Sequence, residues 1–321
     1  MTSPFFPQRQ HVAVKVEGTE GTDSVPADVD VIGPAYDIEY SPTFEMFARE
    51  IVQNSFSRPK QIAGERSAEI SFSTEIKGEG NAGVAPPNLS AALQACGFSE
   101  TIVAVTSVTY APVSEGVSSV TVEIREGSTD GTVKVKKIVG ARGTVSFEGV
   151  KGDVVLARFV FTGRYVEPSD DPTTQFTTPA IGPDPESFLG AAFSFHGVGT
   201  TKVQNVTLDI GNAVSLRNDV NQASGNFSAI IVGRTPIGSI DPEQELVATI
   251  NFFNKLTTNA EGILTYVLGA SAGNITTFSA PKAQIIGISE ADRDSFRTED
   301  LELQLNQSAA AGDDELTIAF T

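Results

Sequence analysis

The chain has 321 residues, 40% of them apolar, so it is long enough for two domains of ordinary size and can bury a core. Its 22 basic and 40 acidic side chains give a formal net charge of −18, which disfavours tight binding to nucleic acid or anionic lipid. The single Cys96 excludes an intramolecular disulfide framework. No run of about 18 apolar residues and no signal-like opening occurs, so we expect synthesis in the cytoplasm and no membrane contact.

The residue types favour strands over helices. The chain contains 29 Gly and 17 Pro among many Val, Ile, Thr, Ser and Phe residues. β-branched and aromatic residues suit strands, and Gly and Pro suit the turns between them. The sequence therefore predicts a mainly β fold.

The first half of the chain predicts an arm followed by a β unit. Residues 1–35 are rich in Pro, Gly, Thr and Asp and predict an extended N-terminal arm with one strand. Residues 36–166 contain alternating strand patterns separated by turns and predict a first β unit, a meander or half of a barrel. Within it, apolar residues at helical spacing before Gly97 predict a short helix near 88–96.

The second half repeats this organisation after a linker. Residues 167–186 carry five prolines and no periodicity, which predicts a Pro-rich linker or an exposed loop. Residues 187–321 predict a second β unit. Asp241 as an N-cap before Pro242, followed by apolar residues at helical spacing, predicts its helix near 241–257.

The common order of elements suggests that the chain contains two copies of one unit. Three pairs of segments can be aligned with several similar residues: 63–73 with 232–242, 135–147 with 281–293, and 153–161 with 314–320. We treat this duplication as a hypothesis. It has a large physical consequence, because a chain with two copies of a ring-forming unit closes a pseudo-sixfold ring with three subunits instead of six.

Three segments resemble the tail tube, or major tail, proteins of siphophages. They are "VKVEGTEGTDSVPADVDVI" at 14–32, "VGRTPIGSIDPE" at 232–243 and "LVATINFFNKLTTNAEGILTYVLG" at 246–269. The resemblance implies β-barrel or sandwich units, each flanked by a short helix, whose inner strands join those of neighbouring copies around a hollow tube. It also implies stacked rings of three or six copies, bridged by the arm at 1–35 or by the Gly-rich loop at 77–87.

The resemblance further implies a place in the virion tail and a set of partners. These are the tape measure protein, the tail terminator and the tail tip proteins, with phage DNA passing through the tube without sticking. An acidic tube wall would repel DNA phosphates along this path. The alternative explanation of the charge is that it keeps the subunit soluble before assembly.

Other functions have less support in the sequence. His11 and His196 lie in different predicted units with no catalytic motif around either. Adjacent acids are more simply explained as solvated turns than as a glycosidase or calcium site. These acids are Asp28 with Asp30, Asp170 with Asp171, Glu299 with Asp300, and Asp313 with Asp314 and Glu315. We therefore expect no catalytic, cofactor-binding or metal site, and the alternatives are a capsid decoration or surface-binding β-sandwich and, after it, an acid-catalysed hydrolase.

Overall fold

The computed structural model describes residues 4–86, 88–171, 175–179, 182–199 and 201–321. The described part of the chain is mainly β, as the composition predicts, with α1 at Ser90–Ala95 and α2 at Phe252–Thr257. Neither helix is long and apolar enough to cross a membrane. The strands are β1 Phe5–Val16, β2 Ala35–Phe47, β3 Ile62–Glu75, β4 Phe98–Val103, β5 Ser107–Pro112, β6 Val120–Ser128, β7 Val133–Val150, β8 Leu156–Tyr165, β9 Ser169–Asp171, β10 Ser194–Phe195, β11 Asn205–Asp209, β12 Asn212–Asn218, β13 Asn226–Arg234, β14 Ile237–Ile240, β15 Glu261–Leu268, β16 Thr276–Arg293, β17 Phe296–Leu305 and β18 Thr317–Phe320.

A single antiparallel sheet runs through both halves of the chain. Eight of its strands are neighbours in the order β2, β3, β8, β7, β11, β14, β17, β16, and the path continues through β18, β5 and β4. Strands β12 and β13 form a separate hairpin. The halves are joined by the pairing of β7 with β11 and by that of β18 with β5, so they share one sheet, and one buried apolar cluster draws residues from both.

The eight-strand path consists of two runs of four strands with the same internal pairing. The pairing of β2 with β3, β3 with β8 and β8 with β7 is repeated by β11 with β14, β14 with β17 and β17 with β16. Outside the path, β1 pairs with β6 and β6 with β7, while β10 pairs with β15 and β15 with β16. Strand β9 pairs with the start of β7, and β18 pairs with the start of β16.

The local details repeat as well. Strands β7 and β16 each have 18 residues, β8 and β17 each have 10, and both helices have six. The ladder of β6 with β7 shifts register between Val120 and Val122, and that of β15 with β16 shifts between Gly262 and Leu264. Each half therefore builds the same arrangement from a different sequence. Descent from two copies of one unit, and the unit boundary at 167–186, remain predictions.

The first two aligned segment pairs of the sequence analysis follow this repeat, but the third does not. Residues 135–147 and 281–293 lie in β7 and β16, which occupy matching places. Residues 153–161 lie mainly in β8 and residues 314–320 contain β18, whereas the strand that matches β8 is β17. A few shared apolar residues cannot distinguish these strands, because both alternate with period two.

The predicted helix near 88–96 is confirmed as α1, but the prediction that a helix begins at Asp241 is wrong. The Asp241 carboxylate accepts hydrogen bonds from the backbone amides of Gln204 at 2.8 Å and Asn205 at 2.7 Å, so it anchors the start of β11 instead of capping a helix. Helix α2 begins at Phe252, where the side chain of Asn251 accepts the Asn254 amide.

The one strand predicted within the arm at 1–35 is β1, and the arm itself stays a prediction. Strand β1 pairs with β6 along most of its length. Val12, Ala13 and Val14 are almost completely buried. Residues 1–3 of the predicted arm lie outside the described residues.

The two faces of the eight-strand path predict opposite responses to truncation. Leu208 is fully buried, whereas its neighbour Thr207 points to the other face and bonds Ser239 through its hydroxyl. We expect Leu208→Ala to lower the free energy of unfolding by about 2–5 kcal/mol and Thr207→Ala by about 1 kcal/mol or less. Urea denaturation of the unassembled subunit measures both, and equal losses would contradict the assignment of the faces.

Candidate functional site

The eight-strand path has one apolar and one polar face. On the apolar side lie buried residues such as Phe72, Phe147 and Leu208, which share one buried cluster with the helices and with strands such as β1, β6 and β15. The other side, which we call the polar face, carries hydroxyl, amide and charged side chains. Thr207 stands directly opposite Glu148 on β7 and Ser239 on β14, and the hydroxyls of Thr207 and Ser239 are 2.7 Å apart.

Carboxylates are spread along the whole polar face. Their positions follow from strand alternation and from the register with Thr207: Glu39, Glu69, Glu148, Asp209, Asp300 and Glu302. Arg158 lies among them, opposite Ser146. The polar face therefore presents more carboxylates than guanidinium groups to whatever lies in front of it.

Two arginines at the β12–β13 end of the polar face are held by partners. Arg142 bonds the Glu20 carboxylate at 2.8 Å and two backbone carbonyls. Arg164 bonds Gln222 and the carbonyl of Gly21, both at 2.7 Å. Their charges are committed to folding contacts, which leaves the acidic residues to set the sign of the field over the face.

The polar face ends in two strand edges that have no partner within the described residues. Strand β2 pairs with β3 on one side, and its other side is the start of the sheet path. Strand β16 pairs with β15 and β17, but from Gly287 to Arg293 it pairs with β17 alone. An unpaired strand edge exposes backbone amides and carbonyls and is a template for pairing with another chain.

The pairing of β7 with β11 shows how such edges meet in this fold. Five residues of each strand are opposed, from Ser146 with Asp209 to Val150 with Asn205. This ladder is extended by the bond from the amide of Ile210 to the carbonyl of Val145. We call this ladder the internal seam. It joins the last strand of the first four-strand run to the first strand of the second.

The acidic segment that follows β1 locks the start of the chain to β7. The carboxylate of Glu17 is buried and accepts hydrogen bonds from the backbone amides of Gly21 and Gly140, both at 2.7 Å. It also accepts the hydroxyls of Ser119 and Thr121. This glutamate of the 14–32 segment therefore has a structural role, satisfying two buried amides that no strand partner reaches.

The next two acids of the same segment form ion pairs. Glu20 bonds Arg142 and the hydroxyl of Ser228 on β13, and Asp23 bonds Lys137 at 2.7 Å. Burial alone would raise the pKa of Glu20, but these hydrogen bonds and the nearby positive charges outweigh it, so this pKa lies below its ordinary value. The segment thus links β1, β7 and the β12–β13 hairpin.

A second exposed feature lies at the end of the β2–β3 hairpin. Residues 42–68, which we call the distal hairpin, contain both strand ends and the connection between them. Val52 and Phe56 are fully exposed, at 106% and 109%, and Met46 and Phe47 are more than half exposed. Several exposed apolar side chains on one projection mark a surface that another protein surface covers.

The histidines and the cysteine are held by ordinary packing contacts. His11 lies on β1 beside the hydroxyl of Thr178 at 3.1 Å, and burial lowers its pKa. His196 follows β10, where burial and the charge of Lys255 lower its pKa to about 4. Cys96 is completely buried at the C-terminal end of α1, and burial raises the pKa of its thiol.

Several of the adjacent acids fix turns instead of being merely solvated. Asp313 accepts the hydroxyl of Ser114 at 2.5 Å and pairs with Arg234 at 2.7 Å. Asp314 accepts the backbone amides of Ser308 and Ala309. Two more of the adjacent acids, Asp28 and Glu299, are also held or shifted by their surroundings. Asp28 accepts both the amide and the hydroxyl of Thr177, and burial raises the pKa of Glu299.

A comparison with protein families shows the family of the chain. A model of the phage tail tube protein family matches residues 7–320, nearly the whole chain. The chain belongs to this family. It is therefore a structural component of the virion, in the tail tube of a bacteriophage. No curated protein matches the chain in a sequence search.

The two free edges in β2 and β16 and the distal hairpin were not predicted from the sequence. The arm at 1–35 and the loop at 77–87, which the resemblance implies as bridges between rings, stay predictions. That loop packs on the turn near Gly273 and Asn274 in the subunit. The cluster of Phe, Ile and Val between Phe47 and Phe56 was the available signal.

The buried Glu17 gives a test of the role of the 14–32 segment. Glu17→Ala leaves the amides of Gly21 and Gly140 without an acceptor, so we expect a loss of about 2–4 kcal/mol in the free energy of unfolding. Glu115→Ala, in an exposed turn, serves as the matched control and should change it by less than about 0.5 kcal/mol. Chemical denaturation measures both, and a Glu17 variant as stable as the control would contradict the structural role.

Proposed function

We propose that the chain polymerises into the phage tail tube as stacked rings of three copies. The observation that carries the proposal is the internal seam between two runs of four strands that share one pairing scheme. The outer edge of β2, and that of β16 from Gly287 to Arg293, are free within the described residues. A free edge at each end of a repeated sheet fits the head-to-tail joining of identical copies.

Three copies are favoured because each chain supplies two four-strand runs. Head-to-tail contacts generate a closed ring when the rotation per contact closes. Three chains then contribute 24 strands, eight from each, to one continuous barrel. A barrel of this size leaves an open channel, whereas an eight-stranded barrel fills with its own side chains.

The polar face is proposed to line this channel. The apolar side of the sheet packs against both helices and against strands such as β1, β6 and β15, so it is the bulkier layer and takes the larger, outer radius. The acidic residues of the polar face then face the bore. A carboxylate wall repels DNA phosphates, so the genome passes without binding.

The remaining elements of the proposal come from the family. The tube forms in the host cytoplasm together with a tape measure protein, and terminator and tip proteins close its ends. The distal hairpin supplies apolar surface for contacts between copies, because Val52 and Phe56 have no cover in the subunit. This role is one of assembly and needs no catalytic group.

The ring count is tested by the mass of an isolated disc. Native mass spectrometry of purified protein at high concentration should give a ring of three subunits of 33.8 kDa each. Electron microscopy of the same sample should show discs or tubes with a central channel. Rings of six would overturn the three-copy arrangement, and particles that remain single subunits at every concentration would favour a surface-binding module.

The negative charge of the channel wall is tested with small cationic gold clusters that are narrower than the channel. Wild-type tubes should collect the clusters along the channel at low salt, because screening is weak there. The double variant Glu148→Lys, Glu302→Lys should lose this labelling while still forming tubes, whereas Glu115→Lys, away from the polar face, should retain it. Labelling confined to the outer surface of wild-type tubes would place the polar face outside.

A further inference from the structure

The internal seam contains enough detail to specify the contact between two copies residue by residue. In the seam, Ser146 of β7 stands opposite Asp209 of β11, and three more pairs follow up to Gly149 with Val206. If β16 of one copy pairs with β2 of the next copy as β7 pairs with β11, the structural repeat determines which residues of the two copies lie opposite each other. The inference rests on the proposed function, because it needs copies that join head to tail.

The match between β7 and β16 comes from their ladders with β8 and β17. Ser146 lies opposite Arg158 on β8, and Ser289 lies opposite Asp300 on β17. Arg158 directly precedes the buried Phe159 on β8, and Asp300 directly precedes the buried Leu301 on β17. The two pairs therefore occupy the same place in the repeat. Ser289 therefore matches Ser146.

The match between β2 and β11 follows in the same way. Asp209 lies opposite Ile237 on β14, which in turn lies opposite Gln304 on β17. Ser41 lies opposite Glu69 on β3, which in turn lies opposite Thr162 on β8. Gln304 lies three residues after Leu301 on β17, and Thr162 lies three residues after Phe159 on β8. Because these positions match, Ser41 matches Asp209.

The loop lengths support this alignment. The chain between Ser41 and Glu69 is residues 42–68, and the chain between Asp209 and Ile237 is residues 210–236. Each contains 27 residues. The distal hairpin and the β12–β13 hairpin are therefore insertions of equal length at the same point of the two four-strand runs.

We infer that residues Ser289–Asp292 of one copy pair antiparallel with residues Ile38–Ser41 of the next copy, with Ser289 directly opposite Ser41. Pairing beyond Ser41 is limited by Pro42, which has no amide hydrogen to donate where Ile210 donates in the internal seam. The occupant of both free edges is thus a second copy of this chain, and the contact continues the sheet and its polar face without a break.

The inferred pairing of Ser41 with Ser289 can be tested by disulfide cross-linking, because the matching pair of the internal seam is one without direct backbone hydrogen bonds. In the internal seam, the amide of Ile210 bonds the carbonyl of Val145, so the next pair, Ser146 with Asp209, is one without direct hydrogen bonds. Residues opposed in such a pair have Cα atoms about 4.5 Å apart, within the range that a disulfide requires. Cysteines at the matching positions Ser41 and Ser289 should therefore join two copies.

The disulfide cannot form within one copy. Ser41 and Ser289 lie on the first and last strands of the eight-strand path, seven strand spacings or about 30 Å apart. Both side chains are exposed, so Ser→Cys changes little in the subunit. The natural Cys96 is completely buried and does not compete.

The experiment compares two double variants of the full chain after mild oxidation of assembled rings. Ser41→Cys with Ser289→Cys should give covalent trimers as the largest species on a denaturing gel, and reduction should return single chains. Thr43→Cys with Ser289→Cys places one thiol two residues along the same strand, about 7 Å away, and should cross-link at least about tenfold more slowly. Each single variant should give no trimer.

The outcomes separate the register from the proposed function. Rings that form normally but cross-link faster through Thr43→Cys, or not at all through Ser41→Cys, would overturn the inferred register and leave the tube proposal standing. Covalent hexamers would retain the register and overturn the ring of three. If the unmodified chain forms no ring in electron microscopy, the proposed function fails, and the register fails with it.

Discussion

The backbone hydrogen bonding of strand edges is the constraint on which the rest of the structure depends. Strands β7 and β11 satisfy each other across the internal seam, where the two halves of the chain meet. The outer edge of β2, and that of β16 from Gly287 to Arg293, have no partner within the described residues. Exposed edges are a hazard that soluble proteins normally block, so two compatible free edges in one chain indicate a subunit made for assembly.

The positions of the charged side chains on the polar face are the second constraint. The arginines near the β12–β13 end of the polar face are tied to Glu20 and to backbone carbonyls, whereas carboxylates such as Glu148 and Glu302 face away from the core. Part of the net charge of −18 thus lies on a surface that a ring would enclose. A field inside a narrow channel is stronger than the same charge spread over an open surface.

Local signals in the sequence predict much of the fold. Alternation and turn residues predict the strands, and the apolar spacing before Gly97 predicts α1. Asp241 misled the prediction of α2 because its carboxylate binds amides of residues more than 35 positions earlier, a contact that no local pattern encodes. The 14–32 segment carried the family resemblance, and its Glu17 holds the strands together.

The assembly surface could not be predicted in the same way. Edge and central strands alternate alike, so alternation does not distinguish β2 or β16 from a strand with two partners. Pro42 in β2 and Pro281 in β16, which lack an amide hydrogen, were the available signals of an edge. Which edge remains free is decided by the pairing of strands that lie far apart in the chain, as when β7 meets β11. Only the exposed apolar residues near Phe56 marked the distal hairpin beforehand.

The central claim is that the contact between copies repeats the internal seam. A cryo-electron microscopy map of the assembled tube, at a resolution that separates strands, tests it most directly. The account predicts one continuous barrel of three chains in which β16 lies beside β2 of the next chain and the polar face borders the channel. A barrel with six chains, or with these two edges apart, would contradict it.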